Sequence, residues 1–172
     1  LRRIASGFIL ARMSELAVLN LPSPDATDRL AGALARVLGA GDTLLLEGDL
    51  GAGKSHIARV IVQQLQAPHG PPEDVPSPTY TLVQTYRAGD LAILHADLYR
   101  LGDPGELIEL GLDEALGRDL CLIEWPDRLG DLTPPDALRL TLRMLGEGRM
   151  ATLSGPAAMG AKLGALCDRT HA

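Results

Sequence analysis

Rings and lysines are scarce in this chain. Its 172 residues include five aromatics (Phe8, Tyr80, Tyr86, Tyr99 and Trp125) and two lysines, Lys54 and Lys162, against fourteen arginines. A core with so few rings must be mainly aliphatic, and each rare residue marks a position worth locating. Cysteine is also sparse. Cys121 and Cys167 form no metal-ligand or redox motif, so they read as free thiols in a reducing compartment rather than a disulfide. No apolar run approaches the ~20 residues of a membrane span. Positive charge is in deficit: 16 Lys and Arg stand against 22 Asp and Glu, a net charge of −6. That balance excludes a broad basic face gripping nucleic acid unaided.

What is present is globular. The apolar fraction of 46% is ordinary for a folded domain, and the length suits a single one. A chain this long buries roughly 70% of the surface its unfolded form exposes, so it needs no disulfide or metal to fold. Residues 1–12 carry three arginines and no acid, and Met13 follows them. They read as a non-native or over-called extension, and residues 13–172 as the domain.

The pattern along the domain alternates strand and helix. Leu16–Leu21 reads as a strand. Ser23 and Pro24 open a helix whose apolar positions Leu30, Leu34, Val37 and Leu38 share a face, and Gly39 and Gly41 end it. Thr43–Glu47 reads as a strand buried on both faces. A glycine-rich turn follows, then a helix over about 54–65. The five prolines of Ala67–Pro78 predict an irregular, mobile surface loop. Tyr80–Tyr86 and Leu91–Ala96 read as strands joined at Ala88-Gly89-Asp90. Short helices are expected near Pro104–Leu110 and Asp113–Leu116. Leu120–Ile123 is a buried strand ending at Glu124. Ala137–Met144 and Arg149–Ser154 predict a hairpin across Gly146-Glu147-Gly148. A closing helix runs from Pro156 to about Arg169. The expected fold is α/β: one P-loop NTPase-like domain, with helices flanking a central, mostly parallel sheet that includes some antiparallel strands.

One motif carries chemistry. Gly48-Asp49-Leu50-Gly51-Ala52-Gly53-Lys54-Ser55 fits G-x-x-x-x-G-K-[ST], between a strand and a helix as the P-loop requires. Such a loop cradles phosphates with backbone N–H groups, here those of Leu50 to Ser55 and of His56. The helix dipole adds to the attraction. Lys54 is placed to reach the β- and γ-phosphates, and Ser55 to offer its hydroxyl to Mg²⁺. His56 is expected to contribute its N–H rather than its imidazole. The alternative GxGxxG dinucleotide loop fails, because no third glycine follows Gly53 at the right distance.

A P-loop ATPase also needs an acid at a neighbouring strand end. Glu124 and Asp97 both qualify, and their roles are not exclusive. Ser77-Pro78-Thr79-Tyr80-Thr81 occupies the connection on which nucleotide switches carry a γ-phosphate-sensing threonine. A plain loop with a capping hydroxyl is the simpler account of that segment. Trp125 reads equally as core packing or as a neighbour of the nucleotide. His95, mid-strand among apolar residues, reads as a satisfied core histidine.

The segments GDLGAGKS, VPSPTYTLVQTY, HADLYRL and IEWPDR, in this order and spacing, resemble the TsaE family. These are the small P-loop ATPases of tRNA threonylcarbamoyladenosine biosynthesis. The resemblance covers about 21–154. Ser55 departs from the usual threonine of the family but keeps the hydroxyl.

The resemblance implies a cytoplasmic protein that binds ATP and Mg²⁺ and hydrolyses ATP slowly. It further implies partnership with TsaB and TsaD, with tRNA reached indirectly through that assembly. By position it assigns Lys54 and Ser55 to phosphate and Mg²⁺, and Thr79 and Thr81 to the switch segment. Asp97 and Glu124 become the acidic pair, with Glu124 the better metal ligand. Trp125, Thr27 and Arg149 are placed near the nucleotide. After Met13 every aromatic falls in or beside these segments, which predicts one functional face. A P-loop small-molecule kinase is the alternative, but Arg100, Arg118 and Arg128 are scattered rather than gathered in a lid.

Overall fold

The computed structural model describes residues 13–103 and 105–167. Residues 1–12, Pro104, the side chain of Cys167 and the expected helix end at Arg169 lie outside that set. Strand β1 covers Ser14–Leu21, and helix α1 covers Pro24–Ala35. The Ser23 hydroxyl caps α1, accepting from the Ala26 N–H at 3.2 Å, with Pro24 in the first turn as expected. Strand β2 (Thr43–Glu47) leads through the glycine loop into α2 (Lys54–Gln66). Then come β3 (Val83–Ala88), β4 (Leu91–Asp97), the one-turn helices α3 (Glu106–Glu109) and α4 (Leu112–Ala115), and β5 (Leu120–Glu124). The hairpin β6 (Leu138–Leu145) and β7 (Gly148–Gly155) and the helix α5 (Ala157–Cys167) complete the domain.

The seven strands form one sheet in the order β1-β7-β6-β2-β5-β4-β3. Its centre, β6-β2-β5-β4, is parallel. Both flanks are antiparallel. Three of six pairings are therefore parallel, so the sheet is mixed rather than mostly parallel. The tight β3–β4 and β6–β7 turns enforce antiparallel neighbours, and β1 then extends the edge of β7.

Side chains alternate across the sheet. Leu44, Leu46, Leu120 and Leu122 meet Ile57 and Ile61 of α2 and Leu34 of α1 on one face. Leu45, Leu94, Cys121 and Ile123 meet Leu107 and Leu112 on the other. Burial pushes the Cys121 thiol up to about 12, in keeping with an inert free cysteine. Among the described residues Tyr86 is the one aromatic in the fully buried core. It corrects the expectation that every aromatic after Met13 serves one functional face.

Two further expectations change. The third strand begins at Val83, not Tyr80, because Leu82 takes a left-handed φ of 64° and its N–H donates to the Pro78 carbonyl at 2.7 Å. A turn therefore occupies the expected strand start. The proline-rich loop opens with a single 3-10 turn, Ala67–His69, and is irregular thereafter. It is also tethered: Arg59 Nε donates to the Val75 carbonyl at 2.9 Å, and Gln66 bonds both Glu73 and the Arg87 carbonyl.

Candidate functional site

The site forms where β2, β4 and β5 end and α2 begins. Parallel register places Asp97 directly beside Glu124, and Leu46 of β2 on its other side. The glycine loop rises from β2 over these acids. Gly48 sits at φ 141°, where an added Cβ would lie 2.6 Å from the Leu142 carbonyl. Gly53, at φ 109°, supplies the left-handed entry to α2 and gives it no side-chain cap. The first N–H groups of α2 therefore remain free of a capping side chain, as an anion site requires.

Lys54 is 5% exposed. Its Nζ donates to the Gly48 and Asp49 carbonyls at 2.7 and 2.8 Å and lies 4.2 Å from the Trp125 ring centre. Desolvation pushes its pKa below the usual lysine value, against the pull of Glu124, Asp97 and Asp49. Trp125 has a left-handed backbone, φ 57° and ψ 54°, an outlier for so bulky a residue. That turn lays its ring over Lys54, and Tyr99 packs against it with ring centres 4.8 Å apart.

The polar side chains form one continuous run. His95 Nε2 meets Glu124 Oε1 at 2.8 Å, and Glu124 Oε2 accepts from Ser55 Oγ at 2.8 Å. Ser55 Oγ lies 3.3 Å from Ser77 Oγ, which lies 2.8 Å from Thr79 Oγ1. Thr79 donates to Asp97 Oδ2 at 2.8 Å, and Asp97 Oδ1 accepts from the Tyr99 N–H at 3.0 Å. The run leaves β4 at His95 and returns to it at Asp97. It joins the loop hydroxyl, both strand-end acids and the switch-like segment. Each hydroxyl has one proton. With Ser55 and Thr79 donating to the acids, Ser77 can serve one neighbour at a time.

The sequence-predicted residues divide. Lys54, Ser55, Thr79, Asp97, Glu124 and Trp125 meet here, over the backbone of Leu50 to Gly53. Arg149 joins them from β7, its Nε donating to the Ala52 carbonyl at 3.0 Å. Thr81 is exposed and outside the run. Thr27 is buried in α1, its hydroxyl directed to the Ser23 carbonyl at 3.4 Å. The His56 imidazole pairs with Asp28 at 2.6 Å, leaving its backbone as the part that faces the helix start. Of the arginines considered for a lid, Arg100 stacks on Tyr80 and Arg118 pairs with Asp119.

Sequence reasoning missed three residues. Ser77 had a signal, a hydroxyl two positions before Thr79. Asp28 had none. His95 is fully buried as expected, but it contacts Glu124 and its Nδ1 has no partner, so it is not a satisfied core histidine.

Beside the Lys54 and His95 nitrogens, the atoms that could ligate a cation here are oxygens, from Ser55, Glu124 and, through Thr79, Asp97. They suit a hard divalent cation such as Mg²⁺ rather than a thiophilic metal. No group of three or more His, Cys, Asp or Glu among the described residues could hold an ion alone. No described helix is long and apolar enough to cross a membrane.

Comparison with known proteins gives the family. The family described as "Threonylcarbamoyl adenosine biosynthesis protein TsaE" matches residues 21–151. A protein of Rickettsia felis named "tRNA threonylcarbamoyladenosine biosynthesis protein TsaE" is 40% identical over 132 residues, 77% of this chain and 75% of that protein. The protein of the same name from Bacillus subtilis is 36% identical over 126 residues, 73% of this chain and 76% of that one. Among solved structures, Bacillus subtilis YdiB aligns with a TM-score of 0.73 at 26% identity, covering 94% of this chain and 99% of that one.

Proposed function

The chain belongs to the TsaE family of threonylcarbamoyl adenosine biosynthesis, and on that premise we propose that it is a Mg²⁺-dependent P-loop ATPase. It acts in the cytoplasm with TsaB and TsaD, reaching tRNA only through them. The observation that carries the ATPase reading is the run of close polar contacts from Glu124 through Ser55, Ser77 and Thr79 to Asp97, in which Ser77 can donate to either side. It ties the loop, the acids and the switch-like segment into one unit.

In this reading the N–H groups of Leu50 to His56 and the α2 dipole bind the β- and γ-phosphates. Lys54 turns its ammonium from the Gly48 and Asp49 carbonyls toward them, and the added negative charge restores its affinity for a proton. Trp125 and Tyr99 form the wall beside Lys54. Arg149 braces the loop backbone at Ala52. Ser55 and Glu124 would hold Mg²⁺, which supplies charge neutralisation on the phosphate oxygens. Thr79 leaves its bond to Asp97 to meet the γ-phosphate, so Asp97 becomes free to orient the attacking water. Slow intrinsic turnover follows from a switch segment that is ordered toward Asp97 rather than toward the nucleotide, until a partner reorders it.

Phosphate release from ATP, compared between the wild type and Lys54→Ala, tests the enzyme. Steady Mg²⁺-dependent hydrolysis in the wild type, lost in the variant, is expected; hydrolysis that survives the substitution contradicts the loop assignment. Co-purification with TsaB and TsaD, with and without ATP, tests the partnership. Absence of association in both conditions contradicts it and leaves the ATPase reading standing.

A further inference from the structure

We infer that His95 is a positioning residue for the metal-binding carboxylate. It holds Glu124 so that Oε2 faces Ser55, the residue with which it would hold the cation. The inference rests on the Mg²⁺-ATP reading of the site and adds a residue to it. His95 lies on β4 beside Leu122 in the parallel register, one pleat behind Asp97 on the same sheet face. From there its ring reaches toward the strand end and meets Glu124 Oε1 at 2.8 Å, while Oε2 takes the Ser55 hydroxyl at 2.8 Å. A carboxylate held through both oxygens has a fixed plane. His95 is 0% exposed and Glu124 2%, so water does not compete for that bond.

The position is costly to fill this way. Every ordinary requirement of the strand is met by an aliphatic side chain, as at its neighbours Ile93, Leu94 and Ala96, all buried. Instead the site carries an imidazole whose Nδ1 has no partner. A buried polar atom left unpaired is tolerated where it serves something else. The contact of Nε2 with Glu124 is thus the one polar contact the ring makes. Groups that bond a metal-ligating carboxylate from behind commonly govern metal affinity.

The test uses the fluorescence of Trp125, the one tryptophan of the chain, which lies beside Lys54. ATP is titrated in EDTA, and Mg²⁺ is then titrated at saturating ATP. His95→Leu should weaken Mg²⁺ binding about 10- to 100-fold and leave ATP affinity in EDTA within about twofold. His95→Gln should recover most of the loss, because the glutamine Nε2 reaches the place of the imidazole Nε2. His95→Asn should not, because its amide mimics Nδ1. Wild-type Mg²⁺ affinity in His95→Leu, or equal losses with and without Mg²⁺, would overturn the inference. Should His95→Leu fail to fold, equal Mg²⁺ affinities in His95→Gln and His95→Asn overturn it as well. A wild type with no Mg²⁺-dependent signal defeats the site reading itself, and that outcome is distinct from a normal wild type paired with an unaffected His95→Leu.

Discussion

The two ends of the parallel strands treat charge in opposite ways. Where β2, β4 and β5 end, Lys54, His95, Asp97 and Glu124 are all buried. Where β2 and β5 begin, Asp42 pairs with Lys162, and Arg118 with Asp119 at 2.9 Å, at the surface. Surface pairs contribute little to stability, and a protein carries them cheaply. Buried charge is different: desolvation offsets much of the attraction, so a buried ionic cluster is weak support for stability. In the proposed reading Lys54, Asp97 and Glu124, gathered at one end of the sheet with His95 beside them and aliphatic layers behind, are there for what they bind. The same strands thus separate a scaffold end from a working end.

The contrast can be broken by substitution. The largest effect is expected for Lys54→Ala, with ATP turnover falling about 100-fold or more, because a preorganised charge on the transferring phosphate is removed. Phosphate release measures it. Glu124→Gln comes next and should raise the Mg²⁺ concentration for half-maximal turnover at least about tenfold, since it keeps the shape and removes the ligand charge. Arg149→Ala should be milder. It removes the brace on Ala52, and a KM for ATP raised about tenfold, near 1.4 kcal/mol, is expected from steady-state kinetics. At the other end, Arg118→Ala should change neither turnover nor Tm measurably. Its guanidinium is exposed, so solvent screens the pair and its contribution is small. A strong effect there would dissolve the contrast between the two ends.

The working end was legible in part, for local reasons. The glycine loop announces itself by spacing, and Asp97 and Glu124 stand out as acids closing apolar runs. Their adjacency depends on the β4–β5 register, which no local pattern encodes. His95 looks like core because its neighbours are apolar; its role appears only when the register sets it behind Glu124. Ser77 sits in a proline-rich stretch without periodicity; its one local signal, a hydroxyl two positions before Thr79, does not say which hydroxyl faces the site. The antiparallel flank of β1 on β7 joins opposite ends of the chain, beyond the reach of strand patterns. The β3 start departs from the strand pattern because Leu82, a good strand residue by propensity, sits in a left-handed turn with its N–H donating to the Pro78 carbonyl.

The central claim is that the buried charged end is a Mg²⁺-nucleotide site built around Lys54. Titrating ATP with Mg²⁺ into the wild type and Lys54→Ala, and following Trp125 fluorescence, tests it most directly. The account expects a saturable change in the wild type and none in the variant. A wild type without saturation at millimolar ATP, or a variant that saturates at the same concentration as the wild type, would contradict it.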